Sequence, residues 1–213
     1  MRARRLRTLI TGLGALPIAL TLVGAGTRSS FAASPHAPDG RAGLFEHVHA
    51  LAVDAAGRAL FLGAHTGLFR SEDGGRSWEK AALSAQHPHT DVMAVAPDSK
   101  DPLVIYVATH EAGVLKSTDG GRTWREVNVG LGGLDVHGLA VDPSAPAKLH
   151  TAVRETGEGI YRTTDGGEKW VRVDDGPGGE VKVLASVNIP TGMGGIWLYA
   201  GTAEGLQRNP DCF

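Results

Sequence analysis

The sequence predicts an all-β protein, a β-propeller of four blades of about 46 residues each. Three observations predict it. One phrase returns: residues 67–78 read GLFRSEDGGRSW, 113–124 GVLKSTDGGRTW and 159–170 GIYRTTDGGEKW, with a worn copy, GLQRNPDCF, at 205–213. The interval is constant, because Asp73, Asp119, Asp165 and Asp211 stand 46 residues apart. Between the copies lie apolar runs of strand length separated by turn residues. A repeat of about 40–50 residues built from short strands marks one propeller blade per copy.

Each repeat reads as four strands. In the first they fall at 49–54, 60–63, 67–71 and 77–81. The second places them at 93–96, 104–108, 114–117 and 123–127, and the third at 137–141, 149–153, 160–163 and 169–173. The fourth supplies 181–186, 196–201 and 206–208, so the last blade is expected to lack its own outer strand. Residues 34–46 would have to provide it, yet SPHAPDG at 34–40 is poor strand material. A closed four-blade ring is the expectation, and two chains completing a larger ring, a homodimer, is the alternative.

Residues 1–33 read as a secretory signal peptide. A basic head with Arg2, Arg4, Arg5 and Arg7 precedes an apolar stretch at 9–26, and small residues at 30–33 offer a cleavage site. The expected layout is therefore signal peptide 1–33, N-terminal segment 34–46 and propeller 47–213. It implies a periplasmic or secreted protein with no membrane span in the mature chain. The net charge of −2 becomes more negative once the basic head is removed, which excludes nucleic acid as a partner. The single cysteine, Cys212, has no partner within the chain, and a buried thiol without a role is its default reading.

The recurring phrase has a local mechanism. It lies on the turn between the third and fourth strands of each blade. The carboxylates of Asp73, Asp119 and Asp165 can accept backbone N–H bonds across that turn. The glycines that follow permit positive φ, and Trp78, Trp124 and Trp170 anchor the outer strand. In these residues the chain resembles the Asp-box, or bacterial neuraminidase repeat, proteins. The resemblance spans nearly the whole mature chain. It implies a propeller scaffold shared by sialidases and other glycoside hydrolases, sortilin-type receptors and photosystem assembly factors, and it leaves function open. The six Asp-box residues are therefore read as structural.

Aligning the repeats sorts the remaining residues by face. The starts of the first strands align His47, Asp91, Asp135 and Glu180, and two residues later His49, Met93, His137 and Lys182. The turns between the second and third strands align His65, His110, Arg154 and Ala203. With His87 and His89, seven of the nine histidines fall on this face, opposite the Asp-box turns. The candidate ligand-binding residues are His47, His49, His65, His110, His137, Arg154 and Lys182. Histidines beside carboxylates suit a divalent metal ion, and the Met93 thioether with His49 and His137 would suit copper. Strand-end capping is the alternative role for these histidines.

Two functions follow. One is a binding module that takes a metal, or a protein, peptide or glycan ligand, in a His- and carboxylate-rich mouth. The other is a glycoside hydrolase, with Asp91, Asp135, Glu180 and Glu111 as the candidate carboxylates. A typical sialidase is not expected. The Arg-Ile-Pro segment that the resemblance calls for is missing, and Arg154 is the single arginine on this face outside the repeat pattern. The loop at 187–195, rich in glycine, replaces the short turn of the other blades on the Asp-box face and is either a second contact surface or a tolerated insertion.

Overall fold

The computed structural model describes residues 44–84, 86–87, 89–174, 176–177, 180–189 and 196–211. The expected signal peptide, most of segment 34–46, Cys212 and residues 190–195 of the 187–195 loop lie outside these residues. No helix occurs among the described residues, so none is long and apolar enough to cross a membrane.

The chain is a four-bladed β-propeller. Blade 1 comprises β1 (Val48–Val53), β2 (Leu60–Ala64), β3 (Gly67–Ser71) and β4 (Glu79–Lys80). Blade 2 comprises β5 (Val92–Pro97), β6 (Ile105–Thr109), β7 (Val114–Ser117) and β8 (Arg125–Glu126). Blade 3 comprises β9 (Val136–Val141), β10 (Leu149–Val153), β11 (Gly159–Thr163) and β12 (Val171–Asp174). Among the described residues blade 4 has three strands, β13 (Val181–Val187), β14 (Ile196–Thr202) and β15 (Gly205–Asp211). Each blade is an antiparallel meander in chain order. The outer strands are shorter than the sequence suggests and start after the tryptophan, because the residues before it are held in the turn.

Those turns work as expected, with an added hydroxyl. Asp73 accepts from Ser71 Oγ at 2.8 Å, from Ser77 N at 2.9 Å and from Ser77 Oγ at 2.6 Å, while Gly75 N donates to Ser71 Oγ at 2.9 Å. Asp119 repeats the set with Ser117 and Thr123. The Ser77 and Thr123 hydroxyls, with backbone N–H groups, hold the carboxyls of Asp73 and Asp119 well below the usual carboxylate range. In blade 3 the hydroxyl position is Lys169, so Asp165 keeps the bonds from Thr163 Oγ1 and Lys169 N and lacks the third. Its pKa is also lowered, first by Thr163.

The core is divided among the seams between blades. Phe61 and Leu68 of blade 1 pack with Val92, Ile105, Val107 and Leu115 of blade 2. Tyr106, Val114 and Val127 of blade 2 pack with Leu139, Tyr161 and Trp170 of blade 3. Ala152 and Ile160 of blade 3 meet Val181, Leu184 and Leu198 of blade 4. The first strands stack in sequence, β1 on β5, β5 on β9 and β9 on β13. Close approach needs glycine: a Cβ at Gly63 would lie 2.7 Å from Val92 Cγ1, and one at Gly138 2.8 Å from Leu184 Cγ. On the Asp-box side a cation ties each of the first two seams. Arg70 Nε donates to Gly120 O at 2.8 Å, and Lys116 Nζ to Gly166 O at 2.9 Å.

One face is left open. Val95, Leu139 and Leu184 each pack toward the preceding blade. Their repeat counterpart, Leu51, is 66% exposed. Among the described residues no blade covers that side of blade 1.

The three tryptophans differ. Trp78 and Trp124 are half-buried and donate Nε1 to their own turns, at Gly75 O and Gly121 O. Trp170 is buried and donates Nε1 across the seam to Val127 O at 2.7 Å. Trp170→Ala should therefore cost about 3–5 kcal/mol in chemical denaturation, and Trp124→Ala clearly less; equal losses would contradict a seam role for Trp170. Restoring the hydroxyl with Lys169→Thr should raise the melting temperature by about 1–2 °C and move the Asp165 carboxyl further down in an NMR titration.

Candidate functional site

The end of the propeller opposite the Asp-box turns carries the site, and a backbone irregularity aims it. In every blade the register slips at the start of the first strand. The residue left over is His49 between Val48 and Ala50, Met93 between Val92 and Ala94, His137 between Val136 and Gly138, and Lys182 between Val181 and Val183. A bulge re-aims the extra side chain, so three kinds of side chain, His, Met and Lys, share one geometric position in four blades. The turn between strands two and three is tied to the same place. His110 N donates to Asp91 O at 3.2 Å and Arg154 N to Asp135 O at 2.8 Å. In blade 1, His65 N is shared between Glu46 O and His47 O, and His47 holds a φ of 48°, uncommon for a residue with a side chain.

Side chains then pair across the seams. The carboxylate beginning one blade meets the base on the turn of the blade before it. Asp91 Oδ2 lies 3.5 Å from His65 Nε2, Asp135 Oδ1 lies 2.8 Å from His110 Nδ1, and Glu180 Oε1 lies 3.1 Å from Arg154 NH1. Asp91 also approaches His49 Nε2 at 3.6 Å and His110 Nε2 at 3.8 Å. Asp135 approaches His137 Nε2 at 3.0 Å. His65 stacks on both His47 and His49, with centroids 4.7 and 4.6 Å apart, and His110 sits edge-on to His137 at 4.4 Å.

Two carboxylate oxygens in this array, Oδ1 of Asp91 and of Asp135, are buried and accept no hydrogen bond. The imidazole nitrogens beside them are near without an N–H aligned on them. Burial pushes the His49 pKa down, against the raising effect of Asp91. Burial and then the Arg154 guanidinium, whose NH1 is 2.8 Å from His137 Nε2, push His137 down. Both rings are therefore held toward the neutral form.

The residues singled out by sequence fall as follows. His47, His49, His65, Asp91, His110, Asp135, His137, Arg154 and Glu180 form one chain of contacts. Glu111 and Lys182 are exposed, and Met93 is half-buried on its bulge. The copper set His49, Met93, His137 is divided: His49 groups with His65 and Asp91, and His137 with His110 and Asp135. His87 lines a separate cavity of about 310 Å³ with Gly67, Lys80 and Thr90. Alignment of the repeats sorts these residues by face and does not show the pairing across seams. Its signal is an offset of 25–26 residues from turn base to carboxylate, His65 to Asp91, His110 to Asp135 and Arg154 to Glu180.

In NMR titrations His49 and His137 should show pKa values below the ordinary 6.5. Folded values below the unfolded one make these groups favour the native state fully above about pH 6.5, and that contribution is lost as pH falls through the folded values. Melting temperature should thus fall between pH 7 and pH 5, and a His49→Gln, His137→Gln variant should show a shallower fall.

The same architecture occurs in known proteins. An ancestral GH74 enzyme aligns with 78% of this chain and 23% of its own, at 18% identity and a TM-score of 0.58. YCF48 from Cyanidioschyzon merolae aligns over 78% of this chain and 56% of its own, at 16% identity and a TM-score of 0.58. YCF48 bound to D1 peptide aligns over 78% and 52%, at 17% identity and a TM-score of 0.56. The chain thus spans about a quarter of the GH74 enzyme and about half of each YCF48 chain. At these identities the likeness concerns the fold. None of the curated protein sequences matches. The family model described as photosynthesis system II assembly factor YCF48 matches residues 45–211, a stretch that takes in all four blades, and the chain belongs to that family.

Proposed function

We propose that this protein is a partner-binding propeller that acts outside the cytoplasm and holds a peptide or protein segment at its His- and carboxylate-rich mouth. One observation carries the reading: four bulges present His49, Met93, His137 and Lys182 at one repeated position, an imidazole in two blades and a thioether and an amine in the others. The backbone repeats and the side chains do not, which is what recognition of an asymmetric ligand requires. The basic head and apolar stretch at 1–33 support export. The family supports a protein partner, since one of its structures is YCF48 bound to D1 peptide. Exposed Leu51 and Val53 on β1 give such a partner an apolar surface beside His49.

The charge of the mouth favours a ligand with a cationic or hydrogen-bond-donating end. Asp91 and Asp135 face His49 and His137, both held toward the neutral form, and Glu180 already holds Arg154.

The glycoside hydrolase reading rests on the fold shared with GH74 enzymes. It needs one carboxyl to act as acid and another as base or nucleophile beside the scissile bond. Here Asp91 and Asp135 are enclosed by imidazoles and Glu180 is engaged by Arg154, which leaves Glu111 exposed. Binding is the better-supported reading.

The test is a tiled peptide array of exported proteins probed with the mature chain, followed by calorimetry on the hits. Binding should weaken at least tenfold in a His49→Ala, Lys182→Ala variant and persist in Glu79→Ala on the outer strand. Binding that ignores the mouth substitutions would refute the mouth as the contact surface. Turnover of any chromogenic glycoside, sialosides included, that is lost in Asp91→Asn would establish the enzyme reading instead.

A further inference from the structure

The geometry points to a site for one late divalent transition-metal ion, zinc in type, at the seam of blades 1 and 2, with His49, His65 and Asp91 as ligands and His110 closing the set. The inference goes beyond partner binding and does not depend on it.

Spacing is the first argument. The Nε2 atoms of His49, His65 and His110 lie 3.6, 3.5 and 3.8 Å from the Asp91 carboxylate oxygens. The donor atoms of His49, His65 and Asp91 all lie within 4.8 Å of one another. Ligands about 2.0–2.1 Å from a tetrahedral zinc stand about 3.3–3.4 Å apart. The observed separations exceed ordinary N–H···O hydrogen bonds and approach those of a coordination shell.

The second argument is what the carboxylate lacks. Asp91 is drawn among three imidazoles with its Oδ1 buried and without a hydrogen bond. A buried acceptor left unsatisfied is costly, and an ion bound by Asp91 and its neighbouring rings would remove that cost.

The third is support behind the ligands. Asp135 Oδ1 stands 2.8 Å from His110 Nδ1. The Nε2 of His110 is the ring atom that faces Asp91, at 3.8 Å. A carboxylate behind a ligating histidine is a recurrent second layer of metal sites. Stacking of His47 on His65, and of His65 on His49, holds those ring planes.

The neighbouring group, His110, Asp135 and His137, does not make a second site. Arg154 NH1 is 2.8 Å from His137 Nε2 and brings a fixed positive charge to it. Imidazole-rich donors favour zinc and its late first-row neighbours over calcium or magnesium. The ligands come from both blades, so the ion would brace the seam. With His65 about half-exposed, it can enter from solvent.

The test uses untagged mature protein stripped with chelator, titrated with Zn²⁺ by calorimetry and with Co²⁺ by visible absorption. One ion per chain is expected, with the intense d–d bands of tetrahedral Co²⁺ lost on adding Zn²⁺ and a melting temperature that rises with Zn²⁺. Asp91→Asn and His65→Ala should abolish binding, Asp135→Asn should weaken it about tenfold or more, and His87→Ala should leave it intact. Circular dichroism of each metal-free variant shows whether the fold is kept. No binding by the wild type, or binding that survives both Asp91→Asn and His65→Ala, would overturn the site. Peptide binding measured with and without chelator separates this outcome from the partner reading.

Discussion

The whole molecule depends on blades covering one another. A blade of three or four short strands cannot bury its own faces. Phe61, Tyr106 and Leu184 become buried because the next or the preceding sheet lies on them. Apolar burial across each seam supplies the driving force, and direction comes from polar ties at both ends. On one end Arg70 and Lys116 reach the Asp-box turn of the following blade. On the other, a carboxylate that opens a blade meets the base on the turn before it. The Asp-box makes the first tie workable, since its turn holds Gly120 O and Gly166 O in fixed places.

The candidate site is a product of the same seams. Asp91 belongs to blade 2 and faces His49 and His65 of blade 1; Asp135 belongs to blade 3 and faces His110 of blade 2. No blade alone carries the constellation. The bulge at each first strand serves both purposes. It interrupts the ladder one pair from its end, and in blades 1 and 3 the extra residue, His49 or His137, meets the carboxylates of the site. The energetic consequence is visible in Asp91 and Asp135, whose buried oxygens lack hydrogen bonds. Such groups are tolerated where a ligand offsets them, or where the surrounding sheet is rigid enough to hold them.

Family membership and chemistry separate here. The repeat fixes scaffold positions, and it is the scaffold that this chain shares with both YCF48 and GH74 structures. What differs from blade to blade is the mouth, with His, Met, His and Lys on equivalent bulges. The open side of blade 1, marked by Leu51, adds an apolar surface that a closed stack of blades would cover.

The sequence by itself determined the blades. The 46-residue interval, the Asp-box turns and the three strands that the last blade shows among the described residues were all readable, because turn chemistry is local and strand length is set by runs of apolar residues. It also sorted His47, His49, His65, His110 and His137 onto one end, since antiparallel strands alternate direction. Only the tertiary structure decided which of them touch. His49, Met93 and His137 are equivalent in the repeat, yet the two histidines fall in different clusters. A repeat alignment compares positions within blades, whereas contact is made between blades, and the packing of one sheet on the next sets it. Trp170 teaches the same lesson. It shares a motif with Trp78 and Trp124, but the seam it enters makes it a buried tie to Val127 and leaves the other two on their own turns.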